Sequence, residues 1–501
     1  MKQNRREFLI KTGCALSMTA LATQMRHFGL VSAYAQKADD AKTEPGFVPS
    51  DYRALVCVFM SGGNDGNNVV IPNHSDGTLS NYGVYSAARN TQGLAIPQAN
   101  LLPITVPRMG NLTYGLHPAL GPQTPATNIV NNGIHELWAA GKMAIVTNVG
   151  TLTAPMTRAQ YQNGSVAKPF QLFSHSDQVS QYQGGRSDVE SLTGWGGRIS
   201  DLRTLPDNPS GLVPMITSIS GAQLFTSGQT TLPLAIANAG TSLAGVLNPQ
   251  GYNATAASQA RLAAFNSLRG IDLSSSVVAA ASHVTDSAMQ ANAALQTFNE
   301  VTVTFPTTSI GLQLKQVARL IKTRTSLGVN RQIFYVQLGG FDTHNGQIAT
   351  QNTLLVQLSQ AMRAFYDEML AQGIADKVTQ FTMADFSRTF NPAGTGTGVV
   401  GTDHAWANHH FVVGGGITAS DFYGVNTTNG TPFPTLTMNG PDDADSGSTA
   451  RGRWIPTTSI EQYAATLSRW YGLPDANLVN VFPKIANFPN TNLGFMQPPA
   501  P

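Results

Sequence analysis

Cysteine is nearly missing from this sequence: there are two, Cys14 and Cys57, in 501 residues. With an N-terminal leader set aside only Cys57 is left, inside "ALVCVFM", so no intrachain disulfide can staple the fold. Charge is scarce too, at 12% of residues, about half the usual share. No cluster of Lys and Arg recurs after the N-terminus, so nucleic acid is not an expected partner. The apolar stretch from Cys14 to Met25 is interrupted by Arg26 and His27, so no transmembrane anchor is expected. Two catalytic signatures are also missing. The chain has no G-x-S-x-G elbow, which argues against a Ser-His-Asp hydrolase. Nor does it have a phosphate-binding glycine loop with its lysine. What is abundant is glycine, with 48 residues, beside many Ser, Thr, Asn and Gln, the composition of a polar, loop-rich exported protein.

The N-terminus fits that reading. "NRREFLIK" places Arg5 and Arg6 ahead of Phe8 and Leu9, and "AYA" ending at Ala35 supplies the small-x-small pattern of a cleavage site. This resembles a twin-arginine signal over residues 1–35, followed by a linker at 36–50. The resemblance implies the twin-arginine export machinery as a partner and the periplasm or the exterior as destination. The leader holds five of the 30 basic and one of the 28 acidic residues, leaving 25 against 27 and a formal charge of −2. Attraction to polyanions is therefore not expected.

From residue 51 onward, short apolar β-branched runs alternate with helical patterns. "ALVCVFM", "MAIVTNVG", "IFYVQLGG", "HFVVGGG" and the weaker "VTQFTMAD" read as strands buried on both faces. Helices are expected over residues 131–142, 353–373 and 457–472. The alternation predicts an α/β fold with a mostly parallel central sheet flanked by helices. Residues 205–300 differ, turn-rich and then Ala/Ser-rich, and read as a mixed insertion in a domain spanning 51–501.

In such sheets, ligands bind beyond the carboxyl ends of the strands. Those ends offer Asp65 in "SGGNDGNN", Asp342 and His344 in "GGFDTHN", and Asp385 and Arg388 in "ADFSRT". "GTDHAWANH" adds Asp403, His404 and His409 just before another strand. Carboxylates mixed with imidazoles suit Zn²⁺ or Mn²⁺, and carboxylates alone suit Ca²⁺ or Mg²⁺. Each Asp could equally cap an ordinary turn. His410 is expected to pack in its strand, and His117 and His135 read as structural.

The ordered set "VFMSGGNDGNNVVIP", "LHPAL", "ELWAAGKMAIVTNVG", "GWGGR", "GGFDTHNGQ", "ADFSRT", "GTDHAWANHHFVVGG" and "RGRWIPTTSIEQYAATLSRWYGL" resembles a large family of twin-arginine-exported bacterial proteins carrying a domain of unknown function. That family is in turn similar to the alkaline phosphatase and sulfatase superfamily, which implies an alkaline phosphatase-like sandwich. By the superfamily's pattern Asp65, Asp342, His344, Asp385 and His404 would hold a divalent metal (Zn, Mn or Ca), with Asp403 beside them. Phe386 stands where the superfamily usually has a histidine. A nucleophile would fall near Thr157 and Arg158, with Thr153 second and with His175 and Asp177 as a substrate-side pair. Two functions follow as expectations. One is an exported metal-dependent hydrolase or transferase of phosphate or sulfate esters, on a small-molecule or glycan substrate, with Arg158 or Arg388 binding the anion. The other is a non-catalytic envelope or export protein that keeps a structural metal.

Overall fold

A computed structural model describes residues 51–498, except 124–131, 232, 247–251, 253, 272, 275, 297 and 394–399. The expected signal and linker lie outside the described residues. The strands in chain order are β1 (Arg53–Met60), β2 (Val70–Pro72), β3 (Leu102–Val106), β4 (Leu112–Leu116), β5 (Met143–Gly150) and β6 (Ile216–Ser218). They continue with β7 (Leu234–Ala235), β8 (Arg331–Leu338), β9 (Val378–Ala384), β10 (Asn408–Gly414), β11 (Phe422–Tyr423) and β12 (Thr458–Ser459).

Nine of them form one sheet in the order β11-β5-β10-β9-β1-β8-β6-β7, with β12 also on β5, while β2, β4 and β3 make a small antiparallel sheet. The main sheet is largely parallel; β10 alone among its described strands runs against its neighbours β5 and β9. Strand β1 shows why the apolar runs were readable. Ala54, Val56, Val58 and Met60 enter one core, and Leu55, Cys57 and Phe59 enter the other. A strand with both faces covered has no polar side to alternate. Helices Ser309–Lys322 and Gln347–Ala371 supply the first core through Leu314, Val317, Leu358 and Phe365. Helices Trp195–Asp207 and Ile460–Tyr471 supply the second through Trp195, Ile199, Tyr463 and Leu467.

The register fixes where the site falls. Met60 of β1 lies opposite both Leu338 of β8 and Ala384 of β9, so three parallel strands end at one edge. Because β10 is antiparallel, the segment entering it, with His404, starts from that same edge.

The structure alters several expectations. Within residues 205–300, read as a mixed insertion, the short strands β6 and β7 extend the main sheet beyond β8. The helix expected at 131–142 is the four-residue Glu136–Ala139, and residue 131 lies outside the described residues. The helix expected at 353–373 starts earlier, at Gln347. The last helix opens at Ser459, whose hydroxyl and Gln462 form a capping box, and closes on left-handed Gly472. Among the described residues no helix is long and apolar enough to cross a membrane.

Candidate metal centre

Residues 61–65 leave β1 and pass close to the segment after β8. Gly62 has φ 112°, and a Cβ there would sit 2.4 Å from the backbone nitrogen of Asp342, so only glycine fits this approach. The Gly62 N–H donates to Asp385 Oδ1 at 3.0 Å, tying the ends of β1 and β9 together. The other oxygen of Asp385, Oδ2, receives His175 Nδ1 at 2.7 Å. His175 is the first residue of the helix His175–Gly184.

Three side chains then converge. Ligand atoms of His175, Asp342 and His404 all lie within 4.8 Å of one another. The Nε2 atoms of His175 and His404 are 3.1 Å apart. Asp342 Oδ1 stands 3.6 Å from His175 Nε2 and 3.5 Å from His404 Nε2. His344 reaches two members of the group, at 3.2 Å from His404 Nε2 and 3.0 Å from Asp342 Oδ1. Each imidazole is backed at Nδ1: His175 by Asp385, His404 by the Phe173 carbonyl at 2.9 Å, and His344 by Asp403 at 3.4 Å. Imidazoles that ligate metals are oriented in this way by partners on their other nitrogen.

The electrostatics follow from the same contacts. The Asp385 hydrogen bond raises the His175 pKa above the ordinary imidazole value. Burial lowers that of His404. Burial works against the charge on Asp342, but Arg388, His344 and His175 outweigh it and hold its carboxyl below the usual range. Phe386 supplies an apolar wall, its ring 4.6 Å from that of His175 and 4.7 Å from that of His404. A cavity of about 460 Å³ opens beside the cluster, lined by Ser61, Gly62, His175, Ser176, Asp342 and Asp385 among others.

The expected ligands divide into two groups. Asp342, His344 and His404 come together. Asp385 sits one layer back, both its oxygens spent on Gly62 and His175. Asp403 is also behind, paired with Arg451 and facing His344 Nδ1. Asp65 is turned away: it is fully buried against the equally buried Arg89 and caps the Gly66–Asn68 turn. It connects to the cluster indirectly, through Asn67, which donates to both Asp65 and the Arg388 carbonyl, and through a buried chain. Gln347 Nε2 donates to Asp65 at 2.5 Å, Thr402 Oγ1 donates to Gln347, Arg388 Nε donates to Thr402, and Arg388 Nη1 reaches Asp342 at 2.6 Å.

The expected catalytic pair is engaged elsewhere. Thr157 is the N-cap of the helix Arg158–Asn163, in a capping box with Gln160. Arg158 donates to the carbonyls of Asn439 at 2.6 Å and Asp445 at 2.9 Å. Thr153 donates to the Ala167 carbonyl at 2.5 Å. Arg388 is completely buried with its donors on Asp342, Thr402 and Gly62, which leaves it no face for an anion. Asp177 accepts from Ser174 and Ser176 at its own helix start. His409, His410 and His117 are buried and neutral, the first two pushed down to about 3 and the third to about 4 by loss of solvent.

DUF1501, described as a protein of unknown function, matches residues 52–433. The chain belongs to that family. No curated protein matches its sequence. Among solved structures it is similar to the PsFucS1 sulfatase from Pseudoalteromonas sp., at 11% identity. That alignment covers 78% of this chain and 67% of the sulfatase with a TM-score of 0.28, a likeness that carries no argument about activity.

In this DUF1501 chain the member of the cluster that sequence reasoning did not place there is His175. "FSHSDQ" has the serines of a helix start, but nothing local shows that the helix begins at the edge where β1, β8 and β9 end. Its ligand-side position follows from tertiary packing.

Proposed function

We propose that this DUF1501 chain binds one divalent cation between His175, Asp342 and His404, with His344 beside them, and uses it on a phosphate or sulfate ester. One observation carries the reading. A backbone carbonyl can only accept, so His404 donates its Nδ1–H to Phe173 and its Nε2 holds a bare lone pair. That lone pair faces the Nε2 atoms of His175 and His344 at 3.1 and 3.2 Å and the Asp342 carboxylate at 3.5 Å. Such a convergence needs a cation or a proton at its centre. Two ligands of tetrahedral Zn²⁺ stand ~3.3 Å apart, given metal–ligand distances of ~2.0–2.1 Å, and the observed spacings match. A nitrogen-rich donor set favours Zn²⁺ or Mn²⁺ over Ca²⁺.

When bound, such a cation polarises an ester oxygen as a Lewis acid. The chain's own residues do the rest. Asp385 orients His175, Arg388 keeps Asp342 ionised and in place, and Phe386 shields one side of the imidazoles from water. Substrate would enter the cavity lined by Ser61 and Ser176. A largely parallel sheet that delivers its acids and histidines from one edge also supports an alkaline phosphatase-like layout. The paired arginines and cleavage pattern of the N-terminus support export by the twin-arginine route to the periplasm or beyond.

A second reading has its own support: the metal is structural and no ester is turned over. Thr157 is spent on a helix cap, Arg158 is engaged with the Asn439 and Asp445 carbonyls, and Arg388 is fully buried on Asp342 and Thr402. Chelation followed by return of Zn²⁺ or Mn²⁺ separates the two, read by melting temperature and by turnover of aryl phosphate and sulfate esters. Turnover that tracks the metal and disappears in Asp342→Asn supports the enzyme. Melting that tracks the metal without turnover supports the structural role. Indifference of both to metal sinks both.

A further inference from the structure

Two residues ahead of the His175–Gly184 helix hold left-handed backbone without being glycine: Gln171 at φ 45° and Phe173 at φ 74°. For a bulky aromatic that conformation is an outlier, and it persists only where the surroundings over-determine it. The surroundings of Phe173 are specific. Its ring lies edge-on to Trp406 at 6.4 Å and under the Arg453 guanidinium at 5.3 Å. Arg453 Nε in turn donates to the His404 carbonyl at 2.8 Å, and the Phe173 carbonyl accepts from His404 Nδ1 at 2.9 Å. The four groups close a ring: Phe173 side chain, Arg453, His404 backbone, His404 imidazole, and back to the Phe173 carbonyl. The same turn, closed by Ser174 N–H on Gln171 O at 3.1 Å, ends in the N-cap of the helix that begins with His175. One turn therefore aims two imidazoles of the cluster.

We propose that Phe173 is a positioning residue of the centre. Its left-handed backbone delivers the carbonyl that fixes His404 as the Nδ1–H tautomer. Its ring, held by Trp406 and Arg453, keeps that backbone in place. The purpose of this arrangement rests on the metal-binding reading; its geometry does not.

Nitrogen-15 NMR of the histidine rings in the metal-free full chain tests this, with His404→Gln identifying the His404 signals. In the parent protein His404 carries its proton on Nδ1 and a bare Nε2. Phe173→Ala gives mixed tautomers and binds zinc about 10–100-fold more weakly, the usual effect of losing an outer partner. Phe173→Tyr, which keeps the ring, restores both. A parent His404 protonated on Nε2 overturns the proposal, and that measurement requires no variant to fold. An unchanged tautomer in folded Phe173→Ala overturns it as well. A tautomer that moves with Phe173 in a protein that binds no zinc leaves the positioning role standing and removes the metal reading.

Discussion

Replacing Asp65 with Asn takes the counter-charge from Arg89 while leaving the shape of the site almost unchanged. Both side chains are 0% exposed, so water cannot compensate. Arg89 keeps the Thr389 and Phe390 carbonyls at 3.3 and 2.8 Å but loses its carboxylate. Breaking a buried pair from one side costs about 3–5 kcal/mol. For roughly 450 residues unfolding together at ~2.1 cal/mol/K each, 1 kcal/mol corresponds to about 1 °C. Scanning calorimetry is then expected to show a Tm lower by about 3–5 °C. Metal per chain, counted by plasma mass spectrometry, is expected to match the parent, because Asp65 meets the cluster only indirectly, through Asn67, Gln347, Thr402 and Arg388. An Asp65→Asn protein that melts like the parent but has lost its metal would refute this reasoning and make Asp65 a ligand.

Other perturbations separate the remaining roles. Thr157→Ala removes an N-cap and is expected to cost about 0.5–2 kcal/mol in denaturant titration, with metal content unchanged; loss of turnover at unchanged stability would return Thr157 to the chemistry. Glu461 is fully buried, and burial raises its pKa from 4.5 to about 7 against the opposing pull of its own backbone N–H and Ser459. An acid raised on folding withdraws stability as pH climbs through that window, by about 3 kcal/mol at most. Glu461→Gln is therefore expected to equal the parent near pH ~4.5 and to exceed it increasingly up to pH ~8, measured by urea unfolding. The raised pKa of His175, caused first by its hydrogen bond to Asp385, acts in the same direction on the metal-free protein. Its protonated form stabilises the fold below the ordinary imidazole value, and that contribution is lost as pH rises through the folded one. Metal needs the neutral ring, so the zinc-induced rise in Tm is expected to grow between pH ~6 and ~8; a flat or falling response would count against His175 as a ligand.

The central sheet was legible where strands are covered on both faces. β1 is an apolar run from Ala54 to Met60 and β8 one from Ile333 to Val336 because each alternates between two cores, and the helices over them keep their spacing. β6 and β7 were not legible: at three and two residues they are too short to carry a pattern, and β6 joins the sheet by pairing with β8, more than 100 positions away, while β7 pairs with β6. The corner of the site was legible for Asp342, His344 and His404, since strand ends alone bring them to one edge. The fates of Asp65 and Asp385 were not. Arg89 sits on the separate Tyr82–Arg89 helix, and nothing in "SGGND" reveals that a guanidinium waits for its carboxylate. Asp385 stands at the expected edge, but whether it faces the cluster's centre or the back of His175 depends on one hydrogen bond at 2.7 Å. Sequence spacing locates a carboxylate; the partners packed around it decide its use.

The most direct measurement is anomalous diffraction from crystals of the full chain grown with Zn²⁺. The expected result is one peak bounded by Nε2 of His175, Nε2 of His404 and Oδ1 of Asp342, with His344 alongside and no second peak at Asp65. Well-ordered imidazoles with no anomalous density between them, or a peak centred on Asp65 instead, would contradict it.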